Sequence, residues 1–168
     1  MELVRIDTHY IDELRKIDNR VQSNSIEQSK QNKPFLGILF TIKENNFLYF
    51  APLSSPKPKH EKMKNSTDFH KVISKDGKLR AVINFNNMIP VDKTLYSRID
   101  ISKDKDKYVL YDEYLFCRDN EQELMKKATI LYNRYIHGNL SSTEQSRTCD
   151  FKKLEQRLQT YLIEINSK

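Results

Sequence analysis

Two spacings of apolar residues divide this chain. Up to Val91 the apolar positions come in short runs separated by turn residues, the signature of strands. From Leu110 onward they recur every three or four residues, the signature of helices. Leu3-Val4-Arg5-Ile6 predicts an opening strand. Tyr10, Ile11, Leu14 and Ile17 then fall on one face of a helix from Thr8 to Asn19, capped by Asp7 or Thr8. Gln22–Asn32 is polar and carries no period. Leu36–Ile42 and Phe47–Phe50, with the turn signal Asn45-Asn46 between them, predict a hairpin. Phe69–Ser74 and Leu79–Phe85 predict two more strands around Asp76-Gly77, and Met88–Val91 resumes the apolar course after Asn86-Asn87.

In the C-terminal third, Leu110, Tyr114 and Cys117, then Leu124, Ala128, Leu131 and Tyr135, keep helical spacing around a break at Asp119-Asn120. Gly138 reads as a C-terminal cap, Asn139–Thr148 as a polar linker, and Asp150 as the cap of a last helix. The stripe of that helix is Phe151, Leu154, Leu158, Tyr161, Leu162 and Ile165. Strands first and helices after predict an α+β fold on a mainly antiparallel sheet. At 168 residues, with no internal repeat and no break in composition, residues 1–168 are expected to form a single domain.

Composition narrows the function. Lys and Arg number 29 against 23 Asp and Glu, a net charge of +6, which favours a polyanionic partner. The excess is local: Lys57, Lys59, Lys62 and Lys64 crowd one segment against Glu61 alone. The three glycines, Gly37, Gly77 and Gly138, are too scattered to form a phosphate-cradling loop. Cys117 and Cys149 lack the spacing of a zinc site or a disulfide framework. No apolar run approaches the roughly 18 residues of a membrane span, and Met1–Ile6 lacks the grammar of a signal peptide. A soluble cytoplasmic protein with no membrane contact and no cofactor is expected.

The segment with the densest candidate chemistry is Phe50–His60: Phe-Ala-Pro-Leu-Ser-Ser-Pro-Lys-Pro-Lys-His. Pro52, Pro56 and Pro58 stiffen it, because each fixes its own φ and restricts the residue before it. It reads as an exposed loop leaving a strand, with two hydroxyls and three cationic or titratable side chains. A loop so composed suits phosphate contact; it is equally consistent with a plain basic surface loop.

The ordered set of motifs resembles the toxin ribonucleases of type III toxin–antitoxin systems, the ToxN/AbiQ family. The resemblance runs through Tyr10-Ile11-Asp12-Glu13-Leu14, Lys33-Pro34-Phe35-Leu36-Gly37-Ile38 and Ala51-Pro52-Leu53-Ser54-Ser55-Pro56-Lys57. It continues through Val82-Ile83-Asn84-Phe85, Met88-Ile89-Pro90-Val91 and Thr148-Cys149-Asp150-Phe151. It implies a compact, highly twisted antiparallel sheet with flanking helices, similar to MazF/Kid toxins. It implies a metal-independent endoribonuclease of abortive infection. The implied partners are an antitoxin RNA of tandem, pseudoknot-forming repeats, held with the toxin in a closed RNA–protein assembly, and cellular or phage mRNA as substrate.

Metal-free RNA cleavage uses the ribose 2′-hydroxyl as nucleophile and leaves a 2′,3′-cyclic phosphate. The protein must orient that hydroxyl, move two protons and stabilise charge on the phosphate. Ser54 and Ser55 can donate to phosphoryl oxygens; Lys57 and Lys33 can neutralise charge, and one of them can act as general acid. The resemblance carries these four, Lys33, Ser54, Ser55 and Lys57, as catalytic residues. The competing reading of the serines is local capping of the turn. Family members can carry an active-site tyrosine a few residues before the position of Lys33, where Ser29 stands here; that departure leaves the proton transfer open.

His60 matches a histidine that follows the motif in some family members, and phosphate or base contact is its expected role. Lys59, Lys62 and Lys64 are candidates for RNA backbone contacts. Asn86 and Asn87 can read base edges or simply form a bulge. Tyr111, Tyr114 and Phe116 can stack on bases or fill core. His70 can line the groove, while His9 and His137 are expected in packing or on the surface. A non-catalytic RNA-binding module using the same basic loop is the rival class. A metal-dependent nuclease is disfavoured, because the motif region lacks paired carboxylates.

Overall fold

The computed structural model of the chain describes residues 1–23, 33–37, 39–43 and 46–167. Ser29, Ile38, Asn45 and most of the polar stretch Gln22–Asn32 lie outside the described residues. The strands are β1 (Glu2–Ile6), β2 (Phe35–Gly37), β3 (Thr41–Ile42), β4 (Phe47–Ser54), β5 (Phe69–Ile73), β6 (Leu79–Asn84), β7 (Ile89–Val91) and β8 (Tyr96–Arg98). Every described pairing is antiparallel. The order is β5-β6-β4-β2-β1-β8, with β3 and β7 joined to β4 off that path.

β4 organises the sheet. Its first half pairs with β3 and β7, through Leu48↔Val91 to Phe50↔Ile89; its second half pairs with β2 and β6, through Ala51↔Leu36 to Ser54↔Val82. The handover falls at Ala51-Pro52. Proline has no N–H to give a ladder, so the interior of a central strand normally excludes it. Here the β7 ladder has ended at Phe50 and the β6 ladder starts at Leu53, so no bond is lost. Residues Tyr49–Leu53 are all buried, because both faces of β4 are covered. Gly37 of β2 lies under the Phe50 ring: a Cβ there would stand 1.8 Å from Phe50 Cε1.

The helices are α1 (Thr8–Ile17), α2 (Pro58–Lys62), α3 (Lys107–Asp119), α4 (Glu121–Ile136), α5 (Ser142–Arg147) and α6 (Phe151–Asn166). Asp7 caps α1 by accepting the Tyr10 N–H at 2.8 Å, and α6 packs on α1 and β7. Glu155 of α6 ties the layers together, since Oε1 accepts from the hydroxyls of Tyr49 (2.6 Å) and Tyr132 (2.7 Å). One hydrophobic cluster runs from Leu3 through Phe50 and Ile83 to Leu158. Cys117 and Cys149 are free and buried. Among the described residues no helix is long and apolar enough to cross a membrane.

The expected antiparallel α+β fold with a helical C-terminal third is the fold observed, and several expectations need correction. Phe50–His60 is not one loop: Phe50–Ser54 is strand, Pro58–His60 is helix, and only Ser55–Lys57 is connection. Pro58 pre-sets the first turn of α2, where a missing N–H costs nothing. Leu36–Ile42 is two strand pieces rather than one. The polar linker Asn139–Thr148 contains α5, whose Ser141 and Glu144 form a capping box that periodicity of apolar residues does not reveal. Ile17 and Ile165, placed on apolar stripes, are exposed.

Candidate active site

The C-terminal end of β4 delivers Ser54 and Ser55 to the rim of a cleft of about 750 Å³. Its walls come from the end of α1 and the turn after it, from Lys33 before β2, from the β4–α2 connection, from the start of β5, from the turn Phe85–Asn87 after β6, and from the end of α5. The cleft therefore gathers Lys33, Ser54, Ser55, Lys57, Lys59, His60, Asn86 and Asn87 from sequence positions far apart. Among the described residues six cationic side chains line it (Arg15, Arg20, Lys33, Lys57, Lys59 and Arg147), against one carboxylate, Asp68. Such a surface concentrates a polyanion.

The two serines differ in what their hydroxyls already do. Ser54 Oγ accepts from Gln22 Nε2 at 2.7 Å, donates to Gln22 Oε1 at 2.9 Å, and accepts from Asn84 Nδ2 at 3.3 Å. That hydroxyl is committed inside the protein. Ser55 is exposed on the rim, with no hydrogen-bond partner for its hydroxyl among the described residues. Lys57 is exposed, with no ion-pair partner for its ammonium among them. Ser55 and Lys57 thus remain available to a ligand, while Ser54 fixes the strand end beneath them.

His60 holds the connection from below. Its Nδ1 accepts the Lys57 N–H at 3.0 Å, and the His60 N–H donates to the Lys57 carbonyl at 2.8 Å, a reciprocal closure of the first turn of α2. The residue is 7% exposed and its ring packs on Phe69. Burial, with Lys59 and Lys57 adding repulsion, holds its pKa below the usual histidine value. The neutral ring with Nδ1 accepting carries its proton on Nε2. His60 thus holds the Lys57 main chain through Nδ1 while it lines the cleft.

Asn86 and Asn87 line the cleft in a tight turn, and their amides are structural. Asn86 Nδ2 donates to the Arg147 carbonyl (3.0 Å), and Asn87 Nδ2 donates to the Arg20 carbonyl (2.9 Å). The turn ties the end of α5 and the turn after α1 to the sheet. Lys62 and Lys64 are exposed and lie outside the cleft lining. Tyr111, Tyr114 and Phe116 also lie outside it: Tyr114 and Phe116 pack on the core, and Tyr111 faces solvent from α3. His70 does not line the groove either. It is buried against Phe116, with Nδ1 2.7 Å from Lys127 Nζ. His9 and His137 are exposed.

Sequence reasoning missed Gln22, Arg15, Arg20, Asp68, Asn84 and Arg147. Gln22 sits at the start of the polar stretch and Arg147 inside the presumed linker, so apolar periodicity gave neither a place. Arg20 is held by a fork on Asp18, Nε to Oδ1 and Nη2 to Oδ2, both 2.9 Å. Burial opposes ionisation of Asp18, but the bonds from Arg20 and the Asp150 N–H outweigh it and lower its pKa. Among the described residues no cluster of three His, Cys, Asp or Glu side chains could hold a metal.

A family profile described as Toxin ToxN, type III toxin-antitoxin system, matches residues 2–159. The Endoribonuclease ToxN of Bacillus thuringiensis subsp. kurstaki is 33% identical over 165 residues, covering 93% of this chain and 81% of that protein. Two solved structures share the fold. One, described as a processed non-coding RNA regulating a bacterial antiviral system, has a TM-score of 0.82 at 27% identity and covers 95% of this chain and 98% of its own. Another, described as selective toxin inhibition by a non-coding RNA pseudoknot in type III toxin–antitoxin systems, has a TM-score of 0.80 at 31% identity. It covers 95% of this chain and 96% of its own.

Proposed function

The chain belongs to the ToxN family of type III toxin–antitoxin toxins, and from that premise we propose that it is an endoribonuclease toxin held in check by a structured antitoxin RNA. Its relative is named an endoribonuclease, and a protein of the same fold is inhibited by an RNA pseudoknot. The observation that carries the reading to these residues is the convergence of Ser55, Lys57 and Lys33 in one cationic cleft whose one carboxylate among the described residues, Asp68, is already occupied. Residues 1–168 act as one unit on this reading, built on one core cluster from Leu3 to Leu158. The work is placed in the cytoplasm, where cellular and phage mRNA are available as substrates. The antitoxin repeats, bound after processing, close with the toxin into an RNA–protein assembly.

The chemistry needs no bound cofactor. The 2′-oxygen forms a bond to phosphorus as the bond from phosphorus to the 5′-oxygen breaks. One proton leaves the 2′-hydroxyl and one arrives at the 5′-oxygen, and the products are a 2′,3′-cyclic phosphate and a free 5′-hydroxyl. Ser55 donates to a non-bridging oxygen where charge builds. Lys57 and Lys33 neutralise the dianionic transition state, and one of them protonates the leaving oxygen. Ser54, tied to Gln22 and Asn84, keeps the end of β4 fixed so that Ser55 meets the phosphate without rearrangement.

Ser55→Ala and Lys57→Ala decide the matter. Each should slow cleavage of an RNA substrate by about 10²–10³-fold, the usual cost of one donor aimed at developing charge. RNA affinity should fall by no more than roughly tenfold, about one charge-assisted bond. Full cleavage by both variants would sink the assignment. An unmodified protein that binds RNA and never cuts it would leave only a binding module.

A further inference from the structure

Arg147 ends α5 and lines the cleft, and the reaction described above gives it no part. Its placement is nonetheless fixed at every level. Its carbonyl accepts from Asn86 Nδ2, and its Nε donates to Asp68 Oδ2 at 2.6 Å. Its helix is clamped to α4 by the fork of Arg134 on Glu144, Nη1 to Oε1 and Nη2 to Oε2, both 2.7 Å. Asp68 is 3% exposed and equally fixed. Its Oδ1 accepts from the Ser66 hydroxyl at 2.7 Å, and its carbonyl accepts the Phe85 N–H at 2.9 Å.

The two ends of this pair are used unequally. Both carboxylate oxygens of Asp68 are engaged. Of the Arg147 guanidinium, only Nε is; Nη1 and Nη2 have no partner among the described residues, and the side chain is 48% exposed. Arg20 in the same cleft shows the contrasting arrangement, spending Nε and Nη2 together on Asp18. An arginine serving only to neutralise a buried carboxylate would be expected to make that fork. Arg147 instead lines the cleft with its two terminal nitrogens unbonded among the described residues, a pair that suits two oxygens of a phosphate. The site is also close to the chemistry: Asn84 touches Ser54 Oγ, and Asn86, which holds Arg147, is only two residues on, at most roughly 7 Å along the chain.

We propose that Arg147, aimed by Asp68, binds a phosphate of the RNA strand flanking the scissile linkage. Arg147 is a substrate-binding residue, and Asp68 and Ser66 are positioning residues that act through it. The inference rests on the reading of the cleft as an RNA-cleaving site and adds a second anchor, without which the strand can pivot about Ser55 and Lys57.

Asp68→Asn separates aiming from bulk charge. Removing a carboxylate raises the positive charge of the cleft, so electrostatics alone predicts tighter RNA binding. Aiming predicts weaker binding, by about three- to tenfold, because Arg147 is released. The probe is a mixed-sequence oligoribonucleotide with every 2′-hydroxyl methylated, which binds and cannot be cut. Arg147→Ala should weaken binding about tenfold and reduce the slope of log affinity against log salt by about 0.7, one phosphate contact on a single strand. Arg147→Lys, which keeps the charge and loses the fork, should fall between Ala and the unmodified protein. Asp68→Asn in the Arg147→Ala background should cost nothing further.

Binding by Asp68→Asn as tight as or tighter than that of the unmodified protein overturns the proposal, as does an unchanged salt slope in Arg147→Ala. Thermal melts accompany each variant. Should Asp68→Asn unfold, the Arg147 pair alone decides. An inactive Ser55→Ala beside a neutral Arg147→Ala would remove this inference and leave the cleavage reading standing. An unmodified protein that never cuts RNA would remove the cleavage reading and leave the binding role to be judged on affinity.

Discussion

His60 shows how a side chain with suggestive chemistry is spent on geometry. Its Nδ1 takes the Lys57 N–H, so the ring sets the direction in which Lys57 leaves the main chain. Glutamine is a standard residue at this third helical position, where it makes the same bond to the cap. His60→Gln should therefore keep most cleavage activity, while His60→Ala should lose about tenfold, a hydrogen bond's worth of Lys57 positioning. A role as general base predicts that both variants are equally dead, and initial rates distinguish the two. Acid should mimic the alanine variant. The folded pKa lies below the unfolded value near 6.5, so the cap is intact above 6.5 and is lost as pH falls through the folded value. The sequence singled out Ser55, Lys57 and His60 as a group, yet it did not show that His60 holds the Lys57 main chain. Nothing in a run of residues says which imidazole nitrogen will face a backbone N–H. Ser54 illustrates the same limit, since its partner Gln22 is 32 positions away.

Between elements, packing creates demands that no single element shows. Glu113 sits on the buried face of α3 with Oε2 unpartnered among the described residues, and burial, reinforced by Asp106 and Asp112, pushes its pKa up to about 8. A raised folded pKa means stability present below 4.5 and lost as pH rises towards 8. Glu113→Gln should therefore raise the melting temperature more at pH 8 than at pH 5, with a free-energy gain at pH 8 of roughly 4 kcal/mol at most. A gain independent of pH would count against this account. The contact of β2 with β4 makes a different demand. Gly37→Ala drives a methyl into the Phe50 ring, so it should destabilise by about 1–3 kcal/mol in chemical denaturation. A neutral result there would mean that Phe50 has room to turn. Helix and strand positions were legible because apolar spacing reports burial directly. The α5 helix and the exposure of Ile17 and Ile165 were not, because capping chemistry and the reach of neighbouring elements decide them.

Across the whole molecule, charge and topology act together. The net +6 is modest, but among the described residues the fold collects six cations around one cleft and pairs away the one acid there, Asp68. RNA affinity should fall steeply with salt, since each phosphate contact releases counterions. Cleavage should persist in excess EDTA, because the proposed steps route through lysine and serine; loss of activity on chelation, restored by a divalent ion, would contradict that. The sequence by itself determined the α+β class, the antiparallel sheet and the Ser55–Lys57 motif. The first two follow from a local rule, the period of apolar residues, and the motif from the family resemblance. Only the tertiary structure decided that Pro52 lies inside a strand, that Ser54 is occupied while Ser55 is open, and that Arg147 joins the cleft. Those outcomes depend on partners tens of residues away, and such partners are chosen by how buried hydrogen bonds are satisfied when the whole chain closes.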